Sequence, residues 1–190
     1  ANETVTNGID LDGEGGFVWI KPRTSTGSHL LFDTERGTGK YLVSNSTAAE
    51  ATYNPYLSSF NSDGFTTFAF APADYVSWSF RKQAGFFDVV TWTGNSTSGR
   101  AISHNLGSTP GFIVVKRTNL ASDWIVLHRN DGVTSKSGWL NLTDSFNNRD
   151  SAYFSSDPDD TSFYLGSSFE VNRTGDTYVA YLFAHDAGGF

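Results

Sequence analysis

The sequence predicts an all-β fold, an antiparallel β-sandwich built from two related halves. Three observations carry that prediction. Short runs of β-branched and aromatic residues follow one another, separated by Gly, Asn, Asp, Pro and Ser. No stretch shows a sustained helical period between caps. Phrases of the first half return in the second half in the same order.

In the first half the expected strands are Phe17–Lys21, His29–Asp33, Lys40–Ser44, Phe65–Phe70 and Tyr75–Arg81. Phe86–Thr93 follows as a connecting strand, and Gly94 to Gly99 reads as a hairpin tip. The second half then supplies Phe112–Arg117, Trp124–His128, Gly138–Leu142, Phe163–Leu165 and Thr177–Ala184. Each is rich in residues that favour a pleated, half-buried surface. Ser46–Thr52 suits one short helical turn and no more.

The repeat is visible in several phrases. Gly16-Phe17-Val18-Trp19-Ile20-Lys21 matches Gly111-Phe112-Ile113-Val114-Val115-Lys116. His29–Asp33 falls at the offset of Trp124–His128, and Lys40-Tyr41-Leu42 echoes Gly138-Trp139-Leu140. Tyr75–Phe80 closes the first half as Tyr178–Phe183 closes the second. Matching order at a nearly constant offset points to duplication. The expected division is residues 1–85 for the first half and 86–190 for the second, closely packed as one unit.

The chain has 190 residues, 38% of them hydrophobic and 15% aromatic, enough to fill a sizeable core. Its net charge is -7, and its 13 Lys and Arg are scattered. A groove that tracks phosphates needs clustered bases, so nucleic acid is not an expected partner. There is no cysteine, which excludes a disulfide framework, a thiolate metal site and a Cys nucleophile. No apolar run is long enough for a membrane-spanning helix, and membrane insertion is not expected. Starting at Ala1 and lacking Met, the chain is expected to be a processed product or part of something longer.

Catalytic patterns are absent. No Glu-x-Asp or Glu-x-Glu strand places two acids on one sheet face for glycoside cleavage. Asp33-Thr34-Glu35 comes nearest, but it runs into a turn. The four histidines are isolated, and no Gly-x-Ser-x-Gly elbow occurs. The expectation is that the chain is not an enzyme and requires no cofactor.

Two acidic loops suit a hard cation such as Ca²⁺. Asp10 and Asp12 lie beside Gly13 and Gly15, and Asp157, Asp159 and Asp160 form the second group. Neither carries the full ligand set of a calcium loop, and Asp and Gly belong equally in solvated turns. Aromatic residues near turns are the other lead. Tyr53-Asn54-Pro55-Tyr56 puts two phenol rings in one loop, and Trp92, Trp124 and Trp139 lie at or near strand ends. Tyr53, Tyr56 and Trp139 are the candidate glycan contacts, because rigid rings stack on sugars. Core packing is the competing role, above all for the tryptophans. Asn-x-Ser/Thr triplets occur at Asn2, Asn45, Asn95, Asn141 and Asn172, where this composition produces about three by chance, so glycosylation is not inferred.

Several phrases together resemble a known β domain. They include Gly16–Lys21, Leu31-Phe32-Asp33-Thr34-Glu35-Arg36-Gly37, Ser58–Phe65, Val89–Asn95, His104–Lys116 and Tyr178–Ala184. The resemblance is to a domain recurring in virion proteins of marine bacteriophages, cyanophages especially, and in tail-fibre-like proteins. It covers roughly Gly15 to Asp186. The first half also resembles a laminin-G or concanavalin A-like sandwich, of jelly-roll type. This chain departs from longer members by its short passage between halves near Trp78–Phe87.

The resemblance implies a virion structural protein, part of a tail fibre or other exposed appendage, active in assembly and in attachment to host-surface glycan. The partners it implies are other virion subunits, a second copy of the chain in a homo-oligomer, and host glycan. The implied location is the virion surface or tail, otherwise extracellular. It carries no catalytic residues. The rival readings are a carbohydrate-binding module of a larger secreted protein and a jelly-roll glycan-cleaving enzyme.

Overall fold

A computed structural model describes residues 2–53, 56–68, 74–129 and 135–185. The fold is all-β and every strand pairing is antiparallel. The chain divides into two compact units, Ala1–Lys82 and Gln83–Phe190.

Unit 1 contains β1 (Asn2–Thr6), β2 (Gly16–Pro22), β3 (Leu30–Asp33), β4 (Lys40–Val43), β5 (Ala51–Thr52), β6 (Leu57–Asn61), β7 (Gly64–Phe68) and β8 (Tyr75–Arg81). A five-stranded sheet runs β5-β4-β3-β2-β8, and a three-stranded sheet runs β1-β7-β6. Alternation puts Val18 and Ile20 of β2 and Leu30 and Phe32 of β3 on the inner face. There they meet Leu57 and Phe65 of the small sheet, with Leu11 from the loop after β1. Two layers around one apolar core make a sandwich.

Unit 2 contains β9 (Phe87–Thr93), β10 (Arg100–Ser103), β11 (Pro110–Arg117), β12 (Ile125–His128), β13 (Lys136–Trp139), β14 (Asn147–Asn148), β15 (Phe154–Ser156), β16 (Ser162–Leu165), α1 (Phe169–Asn172) and β17 (Thr177–Ala184). Its large sheet runs β14-β13-β12-β11-β17-β9 and its small sheet β10-β16-β15. Ile113, Val115, Ile125, Leu127, Ala180 and Leu182 from the first pack on Ile102, Phe154, Phe163 and Leu165 from the second.

Strand for strand, β1 to β8 recur in the same sheet positions as β10 to β17, with β9 added at one edge. The registers agree as well. Phe17 faces Phe80 and Trp19 faces Trp78, as Phe112 faces Phe183 and Val114 faces Tyr181. Both small sheets carry a bulge at the same place, Leu57/Ser59 and Phe154/Ser156. The duplicated Gly-Phe phrase has a steric cause. A Cβ on Gly16 would collide with the Phe80 carbonyl, and one on Gly111 would lie 2.8 Å from His185 Cβ.

Three expectations need correction. Lys40-Tyr41-Leu42 does not correspond to Gly138-Trp139-Leu140. Leu31 pairs with Leu42 and the equivalent Val126 with Gly138, so Lys40 corresponds to Lys136, two residues earlier. A slip of two keeps every side chain on its face, so alternation alone could not detect it. Ser46–Thr52 is not helical. Ser46 N–H donates to the Val43 carbonyl, its hydroxyl accepts from Ala48 N–H, and Ala51–Thr52 pairs with β4. The one described helical turn is α1, capped by Ser168, whose hydroxyl accepts from Glu170 N–H. Residues 94–99 are no hairpin tip, since they carry the chain from β9 in one sheet to β10 in the other. Ala69 and Phe70, the end of the expected Phe65–Phe70 strand, lie outside the described residues.

Candidate ligand-binding surfaces

In unit 1 the side of the sandwich edged by β5 and β6 carries a ladder of three tyrosines. β4 supplies Tyr41, Tyr53 follows β5, and Tyr56 precedes β6. The main chain holds their order: Tyr53 N–H donates to the Gly39 carbonyl and Tyr56 N–H to the Tyr53 carbonyl. The Tyr53 and Tyr56 rings meet edge to face at 4.5 Å, and Tyr56 meets Tyr41 likewise at 5.2 Å. Tyr41 and Tyr56 lean on the core. Tyr53 is 49% exposed. Burial, with Tyr56 beside it, raises the Tyr41 hydroxyl above the ordinary range, so it stays a proton donor. Such a ladder can stack on an apolar sugar face and donate hydrogen bonds at its edge. Asn54 and Pro55, the middle of this loop, lie outside the described residues. Tyr41 was missed by sequence reading; only its place on a strand beside a tyrosine-bearing loop could have marked it.

Trp139 lies in unit 2, at the end of β13, and meets Tyr153 edge to face at 6.1 Å. Tyr153 is the counterpart of Tyr56, each standing just before the bulged strand of the small sheet. Here the phenol is tied inward, to the carboxylate of Glu170, which Ser168 Oγ also contacts at 3.3 Å. Burial, then the charge and hydrogen bond of Glu170, then Asp150 and Asp123 push the Tyr153 hydroxyl up to about 12. Glu170 is itself raised, first by burial, against the pull of hydrogen bonds from Tyr153 and Ser168. This carboxyl is committed to neighbours at the start of α1. Trp92 and Trp124 are interior residues. Trp92 stacks on Tyr178 at 5.4 Å and donates to the Val171 carbonyl, and Trp124 is fully buried.

Of the acidic candidates, Asp10, Asp157 and Asp159 are held by neighbouring groups. Asp10 Oδ1 accepts from Gly13 N–H at 2.7 Å, closing a turn, while Asp12 is exposed. Asp157 pairs with Arg149 at 3.1 Å, and Asp160 is exposed. Asp159 accepts from Thr161 N–H, Thr161 Oγ1 and Ser162 N–H on one oxygen and from Tyr164 on the other, at 2.5 Å. Those bonds, the Tyr164 one foremost, hold its carboxyl far below the ordinary range. Among the described residues no group of three His, Asp or Glu is placed to hold a metal.

The Asp33-Thr34-Glu35-Arg36 phrase is a structural clamp. Arg36 binds buried Asp33 through Nε at 2.6 Å and through its backbone N–H, and reaches Glu50 and the Leu31 carbonyl. Glu35 pairs with Lys82. Four of the Asn-x-Ser/Thr asparagines likewise hold backbone, Asn95 by accepting from Thr97 N–H within its own triplet. Asn45 accepts from His29 N–H and Asn141 from Trp124 N–H at equivalent places, and fully buried Asn172 donates to the Thr97 and Gly166 carbonyls.

Fold and surfaces together define a tandem β-sandwich module that offers solvent an aromatic ladder and binds its internal charges into the framework. The chain belongs to the family described as Domain of unknown function (DUF7483), whose sequence model matches residues 2–190. No curated protein and no solved structure matches it. No helix of the described residues is long and apolar enough to cross a membrane.

Proposed function

We propose that this chain is a structural component of a bacteriophage virion, part of a tail fibre or another exposed appendage. Its work is assembly with other virion subunits and attachment to host-surface glycan, without catalysis. The observation that carries the attachment reading is the Tyr41–Tyr56–Tyr53 ladder, with Tyr53 half exposed at its outer end. The virion reading rests on the resemblance of phrases such as Gly16–Lys21 and His104–Lys116 to phage appendage domains. The fastened state of the acids, in the Asp33–Arg36 clamp and the Glu170–Tyr153 pair, favours binding over glycan cleavage.

The test has two arms. Mass spectrometry of purified virions from the source should find the chain stoichiometrically; absence from the particle defeats the virion reading. A glycan array should show binding that Tyr53→Ala abolishes, without release of reducing ends. Turnover of any arrayed glycan would defeat the non-catalytic reading.

A further inference from the structure

Among the described residues the duplication leaves one position filled in unit 2 and open in unit 1. In unit 2, β17 lies between β11 and β9. In unit 1 its equivalent, β8, pairs with β2 alone among the described residues and forms the edge of the five-stranded sheet. Hydrogen bonds at the strand ends set the alternation. Lys82 N–H donates to the Gly15 carbonyl and Arg23 N–H to the Asp74 carbonyl. Even-numbered residues of β8 therefore bond to β2, while Ser77 and Ser79 turn N–H and C=O outward. Their equivalents in β17 are Ala180 and Leu182. Gly94 N–H donates to the Asp176 carbonyl and Ala184 N–H to that of Phe86, so Ala180 and Leu182 bond to β9.

In its own sequence β8 also lacks the residues that guard a sheet edge. It reads Tyr-Val-Ser-Trp-Ser-Phe-Arg, with no Pro, no Gly and one charge, at its very end. Long apolar edges of that kind are templates for another strand. Tyr75 is 37% exposed and Trp78 44%.

We infer that the β8 edge is an interaction surface for a second copy of this chain, the two β8 strands pairing antiparallel about a two-fold axis at Trp78. The strand is self-complementary in that register. Trp78 meets its own copy, Val76 meets Phe80, Ser77 meets Ser79, and Tyr75 meets Arg81. Apolar residues share one side of the ribbon and polar ones the other, no like charges face each other, and a guanidinium lies beside a phenol ring. The central Trp78 pair falls at a non-hydrogen-bonded position, where side chains approach most closely, and Ser77 and Ser79 of each copy exchange the flanking bonds. Such a contact is isologous and closes as a dimer. It needs no assumption about virions or glycans.

The experiment is sedimentation equilibrium of the full chain from low to high micromolar concentration. Reversible association to twice the 20.7 kDa chain mass is expected. Trp78→Glu and Trp78→Lys should each give monomers, and an equimolar mixture of the two should dimerise again. Only a two-fold contact at position 78 brings those side chains face to face. Ser77→Pro removes an outward N–H and leaves the β2 bonds intact, and should weaken association roughly tenfold. Circular dichroism verifies the fold of each variant. A wild-type chain that stays at 20.7 kDa overturns the inference, as does a dimer indifferent to these substitutions. A monomer whose Ser77 and Ser79 amides resist hydrogen exchange overturns it too, because the chain's own residues would then cover the edge.

Discussion

Lys21 and Lys116 occupy the same place in the two units, and their surroundings differ. Each donates from Nζ to the carbonyl of the next residue at 3.1 Å. Lys21 is half-buried, with His29 near it. Lys116 is fully buried, donates also to the Ser122 carbonyl, and lies 5.9 Å from the ring of Trp124, the counterpart of His29. One backbone plan thus supports a partly wet site and a dry one. What the units share is the fastening of main chain, and what differs is the interior. The same lesson comes from Asn7 and His104. Asn7 Oδ1 accepts from Ile9 N–H, and His104 Nδ1 accepts from Leu106 N–H, two different side chains closing one turn.

The comparison breaks most easily at position 124. Trp124→Ala should cost about 3–5 kcal/mol in urea denaturation, the usual range for emptying a large buried site. His29→Ala at the equivalent place should cost less than about 1 kcal/mol. Equal losses would show that the two interiors are alike after all. The next largest contrast is Asp33→Ala, which removes the Arg36 Nε–Asp33 bond while Glu50 stays within reach, and should cost about 2–3 kcal/mol. His128 holds the matching position in unit 2 and is exposed, so His128→Ala should be nearly silent in the same assay.

Lys116 sharpens the comparison through pH. Burial lowers its ammonium from 10.5 to about 8, Arg117 adding to the fall and Asp123 opposing it. Between those two values the unfolded chain holds the proton that the folded chain has released. Stability from this group therefore rises with pH across that window, by up to about 3 kcal/mol. Below pH 8 the cost of burying the charge is fully present. Lys116→Met should remove the rise, seen as a smaller gain between pH 7.5 and 9.5 relative to wild type, whereas Lys21→Met should leave it in place. The smallest effects belong to the asparagine clamps. Asn45→Ala should cost about 1 kcal/mol, and Asn141→Ala somewhat more, because its amide also binds Asp123 at 2.7 Å.

All-β character, most long strands and the presence of a repeat were legible in the sequence. Alternation and turn residues are local signals, and a duplicated framework repeats them. The short strands were not legible. β1, β5, β14 and β15 are polar or only two to five residues long, and they exist through their cross-strand partners. The Tyr53–Tyr56 pair was visible as two rings in one loop. Its third member, Tyr41, is remote in sequence and joins only because β4 pairs with β5. The acids at positions 10, 157 and 159 were visible as candidate calcium ligands. Which donors reach a carboxylate is set by loop closure, and here the loops' own N–H, hydroxyl and guanidinium groups reach these.

The sequence by itself therefore determined a β-rich chain with a duplicated order of strands, because side-chain alternation and turn chemistry act within a few residues. Tertiary structure alone decided the correspondence of Lys40 to Lys136, the drying of Lys116 beside Trp124, the saturation of Asp159 and the edge position of β8 among the described strands. Each of these depends on which distant segments come together, and periodicity carries no information about that.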